Sequence, residues 1–216
     1  MLEMGGKVEQ QIGDSIAALV NMESGEAELV IARDSEINAL EVSIDGECSR
    51  ILARRQPAAS DLRLVLAVTK VTTDLERIGD EAAKIARQSM RIAEEGVSPS
   101  NYIEMRHIGQ RVSGMLRKAL DAFARLDVEM AVEVVLEDRE VDKEYSSAMR
   151  SLVTFMMEDP RSIGAVLTEL WALRSLERVG DHASNIAEHV IYLVRGLDVR
   201  HVDIEELVSR VAEDDR

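Results

Sequence analysis

The stretch Leu75-Glu76-Arg77-Ile78-Gly79-Asp80-Glu81-Ala82 returns later in the chain as Leu176-Glu177-Arg178-Val179-Gly180-Asp181-His182-Ala183. The match runs on through Ile85-Ala86 and Ile186-Ala187 at the same separation of 101 residues. Earlier in the chain, Asp34-Ser35-Glu36-Ile37-Asn38 answers Asp138-Arg139-Glu140-Val141-Asp142 at a separation of 104. Chance likeness between amphipathic helices is a poor explanation. A glycine inside a helix costs about 1 kcal/mol against alanine, so propensity would not place it there twice. Near-equal separations in successive segments mean an internal duplication with a small change in loop length.

Working outward, the punctuation divides each half into three helices. Gly25 separates a first helix at roughly 1–22 from a second at 26–55, which Pro57 stops. Ser60 is placed to cap a third, running to Glu95. The stretch Glu95-Gly96-Val97-Ser98-Pro99-Ser100 reads as a linker, and Asn101 with Glu104 as a capping box opening a fourth helix to about 126. A fifth covers 128–158, and Asp159-Pro160 then sets a capping carboxylate before a proline at a first helical position. The sixth runs to Arg195, stopped by Gly196, ahead of an acidic tail that ends Ala212-Glu213-Asp214-Asp215-Arg216. Leu173, Leu176, Gly180, Ala183, Ala187, Val190 and Val194 follow steps of three and four, the seam of a bundle helix. The predicted fold is all-α: two tandem homologous three-helix bundles of long antiparallel helices, at 1–97 and 98–216.

Composition agrees. Only 3% of the 216 residues are aromatic and three are proline, against 46% hydrophobic, a mixture that favours helices over strands. With 41 acidic and 26 basic residues the formal net charge is −15, which disfavours nucleic acid and anionic lipid surfaces. Such acidity suits cations or basic partner proteins, and it also serves solubility alone. The single cysteine, Cys48, cannot form an internal disulfide, and its place in helix two reads as core. The opening residues Met1 to Lys7 do not read as a signal peptide, and no apolar run reaches the roughly 18 residues of a spanning helix. A cytoplasmic chain without direct membrane insertion is expected.

The chemistry lies in the carboxylates. Glu177 and Asp181 are four apart on one helix face, as are Glu76 and Asp80. Asp138 and Asp142, also four apart, join the progression Val135, Asp138, Asp142, Tyr145, Met149, Leu152 and Met156, and so lie on the bundle seam or at its border. If helices five and six face one another, four carboxylates converge, and burial raises their pKa values unless a cation neutralises them. Hard oxygen ligands of this kind suit Mg²⁺, Ca²⁺, Mn²⁺ or iron. Gly79 and Gly180, each one residue before an aspartate, let a neighbouring backbone or ion come close. The competing reading is a solvated acidic stripe paired with Arg77, Arg174 or Arg178. In the first half Asn38 stands where the second has Asp142, and Lys84 and Arg87 follow Asp80, so the cluster there is less acidic.

Other patterns carry less. Gly5-Gly6-Lys7 lacks the leading glycine of a phosphate loop, and no dinucleotide-binding glycine set or other phosphate cradle is present. His182 and His189 have no nucleophile pattern near them and read as surface residues. Met156 and Met157 beside Phe155 read as core filling. A ferritin-like metal-handling enzyme would need two Glu-x-x-His motifs, and only Glu104-Met105-Arg106-His107 matches. A purely structural helical spacer leaves the duplicated glycine–acid motif unexplained.

Over nearly its whole length the chain resembles the PhoU family. The two Leu-Glu-Arg-Ile/Val-Gly-Asp copies carry the likeness, with Arg54-Arg55-Gln56-Pro57-Ala58-Ala59-Ser60-Asp61-Leu62-Arg63, Asp121-Ala122-Phe123-Ala124-Arg125, Met156-Met157-Glu158-Asp159 and Arg200-His201-Val202. The likeness places the start of the chain inside the family's first helix. It implies a non-enzymatic adaptor in bacterial phosphate homeostasis. Such an adaptor represses the phosphate-starvation regulon when phosphate is ample, coupling the Pst transporter, through its ATPase PstB, to the PhoR histidine kinase. It further implies self-association as a homodimer and metal binding by Glu/Asp-x-x-x-Asp motifs. Those motifs fall on Asp138 with Asp142, Glu177 with Asp181, and Glu76 with Asp80, while Asp34 with Asn38 departs from the pattern. The implied ion is divalent or ferric, with magnesium, manganese, iron and zinc as candidates.

Overall fold

The computed structural model describes residues 1–95, 102–200, 202 and 206, and among them it contains helices and no strand. Six long helices follow in order: α1 (Leu2–Asn21), α2 (Ser24–Arg55), α3 (Ala59–Glu95), α4 (Tyr102–Arg125), α5 (Val128–Glu158) and α6 (Ile163–Arg195). A single 3₁₀ turn at Pro160–Ser162 leads into α6. The predicted linker at 96–100, the Asn101 capping box and the end of the acidic tail lie outside the described residues.

Both halves turn their first corner alike. Met22 and Leu126 adopt left-handed backbone at φ 56° and 58°, and Glu23 and Asp127 follow as extended N-caps. Asp127 accepts from the Met130 N–H at 3.0 Å, satisfying one otherwise unpaired donor of the first turn. Gly25 therefore does not separate the helices, as the sequence reading expected. It lies in the first turn of α2, and a Cβ there would meet nothing within 4 Å. Ser60 likewise falls inside α3 instead of capping it, because Ala59, at φ 49°, already starts the helix. Asp159 does act as predicted: it accepts from the Arg161 N–H at 3.2 Å, with Pro160 next to it at the first helical position. Gly196 closes α6 at φ 72°.

Four helices, α1, α3, α4 and α6, make the middle of the molecule. α2 packs outside α1 and α3, and α5 outside α4 and α6. The most extensive interface is between α3 and α6, one from each half. They run antiparallel: Glu81 on α3 accepts from Arg178 Nε on α6 at 2.7 Å, and nearer the start of α3, Asp74 meets His182 and His189 further along α6. α1 and α4 cross antiparallel as well, through glycines. A Cβ on Gly5 would lie 2.7 Å from Leu120, and one on Gly109 would lie 3.1 Å from Ile16. The separation of 104 that relates Gly5 to Gly109 also relates Ile16 to Leu120, so the two contacts are copies of each other. One apolar core runs through both halves, including Val8, Leu75, Ile78 and Ile85 with Val112, Leu176, Val179 and Ile186. Each such side chain contributes about 1.5–3 kcal/mol through burial.

The predicted α6 seam is buried from Leu173 to Val190, and only Val194, 37% exposed, leaves it. Cys48 is buried as expected. Phe155 and Met157 are not core filling: they are 39% and 79% exposed, and Met156 is only partly buried. The reason is length. α5 has 31 residues against 24 in α4, so its last turns run beyond that neighbour and are only partly covered by the described residues.

His182 and His189 are not surface residues either. Both are buried against Asp74, with Nδ1 of His182 3.0 Å from Oδ1 and Nε2 of His189 3.3 Å from Oδ2. Asn185 Nδ2 also donates to Asp74, at 3.3 Å. Burial opposes the charge on Asp74, but the hydrogen bonds and charge of the two histidines outweigh it and hold the carboxyl at about 2. The sequence could not show this, because the partner acid is 108 residues away.

Two substitutions in α4 separate close approach from propensity. Gly109→Leu is expected to lower stability by about 1–3 kcal/mol through overpacking against Ile16. Gly114→Ala, where a Cβ meets nothing, is expected to raise it by about 1 kcal/mol. Urea melts of the two variants check the opposite signs. Asp74→Ala leaves two buried imidazoles without their acceptor, and the same melts are expected to show a loss on the order of 3 kcal/mol.

Candidate metal centre

α5 and α6 bring the second-half acids together. Asp142, Glu177 and Asp181 each present a carboxylate oxygen within 4.8 Å of the others, and among the described residues they form the only such group of three acidic, histidine or cysteine side chains. Asp142 is exposed, Asp181 half-buried and Glu177 buried, so the cage opens to solvent on its α5 side. Asp138 sits deeper, with Oδ1 3.3 Å from the position a Cβ on Gly180 would take. The mid-helix glycine is thus explained: it makes room for a carboxylate of the neighbouring helix. The period left open whether Asp138 and Asp142 lay on the seam or its border; Asp138 lies half-buried at the border and Asp142 outside it.

The electrostatics are those of a concentrated negative charge. Burial, then the carboxylates of Asp181, Asp142 and Glu177, push Asp138 up to about 7, against the opposing hydrogen bond of Ser184. Glu177 and Asp181 are also raised, first by burial and then by Asp181 and Asp142 respectively. Arg174 offsets part of this, donating from Nη1 to Glu177 Oε1 at 2.6 Å, with its guanidinium 5.8 Å from the centre of the Tyr145 ring. Arg178, the other candidate partner, turns away to Glu81 on α3. Asp138 Oδ1 and Glu177 Oε2 remain buried with no hydrogen-bond partner. Bare anionic oxygens at this density suit a hard cation, and Asp138, Asp142, Glu177 and Asp181 are the residues that could hold one.

The first-half acids form the related cluster between α2 and α3. Asp34 Oδ1 lies 3.7 Å from the missing Cβ of Gly79, as Asp138 does from that of Gly180. Burial and Asp80 raise Asp34, and burial, Asp80, Glu41 and Asp34 raise Glu76. Asn38 and Gln11 hydrogen-bond Asp34 and lower it in part, and Arg87 adds positive charge. Lys84 pairs with Glu81 instead. Glu41, itself raised by burial, Asp45 and Asp80, is a member that sequence reasoning missed. The signal was there: Asp34, Asn38, Glu41 and Asp45 follow steps of four, three and four along α2. Among the described residues Glu104 and His107 belong to no group of three candidate ligands, and His107 pairs with Glu144 at 3.0 Å on the surface.

Two copies of one three-helix unit, each lodging an outer-helix aspartate beside a glycine of its third helix, define a tandem-repeat helical bundle protein with paired acidic faces. The family model for the PhoU domain matches residues 1–89 and again 105–190, and the chain belongs to the PhoU family. It is 57% identical over 211 residues to a phosphate-specific transport system accessory protein PhoU homolog of Pseudomonas putida, covering 98% of this chain and 82% of that one. It is 46% identical over 212 residues to the phosphate-specific transport system accessory protein PhoU of Escherichia coli K12, covering 98% and 88%. Among solved structures, PhoU from Pseudomonas aeruginosa superposes with a TM-score of 0.89 at 59% identity, covering 91% of this chain and 94% of that one. The phosphate transport system regulatory protein PhoU from Streptococcus pneumoniae superposes at 0.84 with 30% identity, covering 91% and 92%.

The Asp138 shift has a sign that can be tested. The folded carboxyl titrates near 7 and the unfolded one near 3.8, so its favourable contribution is complete below about 4 and lost as pH rises through 7. Metal-free protein is therefore expected to melt higher at pH 5.5 than at pH 8 through this group, with Asp138→Asn removing that part of the difference. After allowance for solvent screening, the gain for Asp138→Asn at pH 8 is on the order of 2 kcal/mol. Thermal melts at both pH values, with chelator present, check it.

Proposed function

We infer that this protein is a non-enzymatic accessory regulator of a phosphate-specific transport system. It represses the phosphate-starvation regulon when phosphate is ample, and couples the transporter's ATPase, PstB, to the sensor kinase PhoR from the cytoplasmic side. The observation that carries this reading is the 57% identity, across 98% of the chain, to an accessory protein of that system. The fold is consistent with an adaptor: exposed apolar side chains, such as Met157 at 79% in the last turn of α5 and Trp171 at 63% on α6, offer surface for partners, a second copy of the chain included. No helix of the described residues is long and apolar enough to cross a membrane, so recruitment to the transporter goes through protein contacts.

Metal binding is the second part of the reading. A divalent or ferric ion at Asp138, Asp142, Glu177 and Asp181 neutralises the repulsion that raises their pKa values and draws α5 onto α6. Asp34, Glu76 and Asp80 do the same for α2 and α3. Occupancy thereby sets how firmly the outer helices are held and shapes the surface that partners meet.

Deletion of the gene in its host, assayed with an alkaline phosphatase reporter in phosphate-rich medium, is expected to give high activity that complementation returns to baseline. Unchanged repression would overturn the regulatory role. Glu177→Ala with Asp181→Ala is expected to lower both metal content and melting temperature of the purified protein; if neither moves, the second-half acids do not hold metal.

A further inference from the structure

The two acidic faces are related by the repeat, yet the notches beside their glycines differ in chemistry. Over Gly180 the notch is bounded by Asp138 Oδ1 at 3.3 Å and by two methyls, Val112 Cγ1 at 3.5 Å and Val141 Cγ1 at 3.6 Å. Over Gly79 it is bounded by Asp34 Oδ1 at 3.7 Å, by Ile37 Cγ2 at 3.3 Å, and by an additional oxygen, Gln11 Oε1, at 3.3 Å. The separation of 104 that relates Asp34 to Asp138 and Ile37 to Val141 puts Met115 in the place of Gln11.

Gln11 is 1% exposed on α1. Its amide nitrogen donates to the Val30 carbonyl at 3.2 Å, and the same side chain hydrogen-bonds the Asp34 carboxylate. The bond to the Val30 carbonyl fixes the orientation of the group. Turned the other way, its oxygen would face the Val30 carbonyl, acceptor against acceptor. The amide oxygen is left pointing at the notch with no donor, and Asp34 Oδ1 has none either. Two buried acceptors beside one notch cannot satisfy each other, whereas a cation satisfies both. The carboxylates of this face do not by themselves bring three oxygens within 4.8 Å, as those of the second face do. A carboxamide oxygen adds a donor without charge where Asn38 has replaced an aspartate, and calcium and manganese accept such oxygens readily.

We propose that Gln11 Oε1 is a neutral ligand to a divalent hard cation of the calcium or manganese class, held with Asp34, Glu76 and Asp80, so that the two faces are chemically distinct metal sites. This rests on the reading of the acidic faces as metal sites and goes beyond it by naming a ligand on α1 and the class of ion. Gln11 then ties the first helix to a site that otherwise joins only the second and third.

The test titrates metal-stripped full-length protein with Mn²⁺, counting the free ion by electron paramagnetic resonance. The parent chain is compared with Glu177→Ala/Asp181→Ala, in which only the first face remains, and with that background carrying Gln11→Leu or Gly79→Ala. The background is expected to retain Mn²⁺ binding, and Gln11→Leu to weaken it at least tenfold. Gly79→Ala keeps Gln11 and favours the helix but sets a methyl 3.3 Å from its oxygen, and is expected to weaken binding as well. If circular dichroism shows that Gln11→Leu loses helicity, Gly79→Ala decides. Binding within twofold of the background in the folded variants would overturn the proposal and leave a water only beside Gln11. No Mn²⁺ bound by the parent would sink the reading of both faces. Binding by the parent that vanishes in the background would sink the first-face site alone.

Discussion

The antiparallel packing of α3 on α6 is the constraint on which the rest of the molecule depends. These helices carry both copies of the glycine–acid motif, and each is anchored to the other by buried polar contacts as well as by apolar side chains. Glu81, 2% exposed, accepts from Arg178 across the interface, and Asp74 accepts from His182 and Asn185. Buried charges of this kind are costly unless fully partnered, so they tolerate only one register of the two helices. Once that register is fixed, Gly79 and Gly180 are presented outward to α2 and α5 at set positions. The outer helices need only supply aspartates opposite them.

The acidic faces then stand out as places where the fold accepts a penalty. Asp138 is lodged beside three other carboxylates with one oxygen bare, whereas the buried acids of the α3–α6 interface, Asp74 and Glu81, are paired with basic side chains. A local departure from good electrostatics, repeated in both halves, is the feature that the proposed metal binding accounts for. The arrangement also loads the repulsion onto the least secured elements. α2 buries few residues, Ala27, Val30, Ile37 and Cys48 among them, and α5 is covered on its inner side alone.

Much of this was legible in the sequence, for physical reasons. Helix-period patterning, prolines and Gly196 located the helices, the spacing of four placed Asp138 and Asp142 at the seam or its border, and the repeated glycine marked a close approach without naming Asp138 as the neighbour. What could not be read were features set by tertiary geometry. The corner at Met22 forms in left-handed backbone without glycine, so Gly25 drew attention to the wrong residue. His182 and His189 look like surface residues until Asp74 arrives from the other half. Gln11 looks like any polar residue on a helix, and only the Val30 carbonyl, by orienting its amide, gives it a role. Glu41 is hidden in the sequence because its step from Asn38 is three, outside the spacing of four that pairs the other acids.

The pairing of contacts between the halves has an evolutionary consequence. Asp74 facing His182 and Ser175 facing Glu81 are the same contact seen from opposite ends, since 101 residues separate Asp74 from Ser175 and Glu81 from His182. In a symmetric assembly of two identical chains every substitution appears at both ends at once, so a carboxylate–imidazole pair at one end and a hydroxyl–carboxylate pair at the other could not coexist. Joining the copies in one chain removes that restriction. It also makes their association independent of concentration, because the partner is always tethered nearby. Each end of the pseudo-symmetric interface is then free to specialise, and the acidic faces of the two repeats differ in the same way.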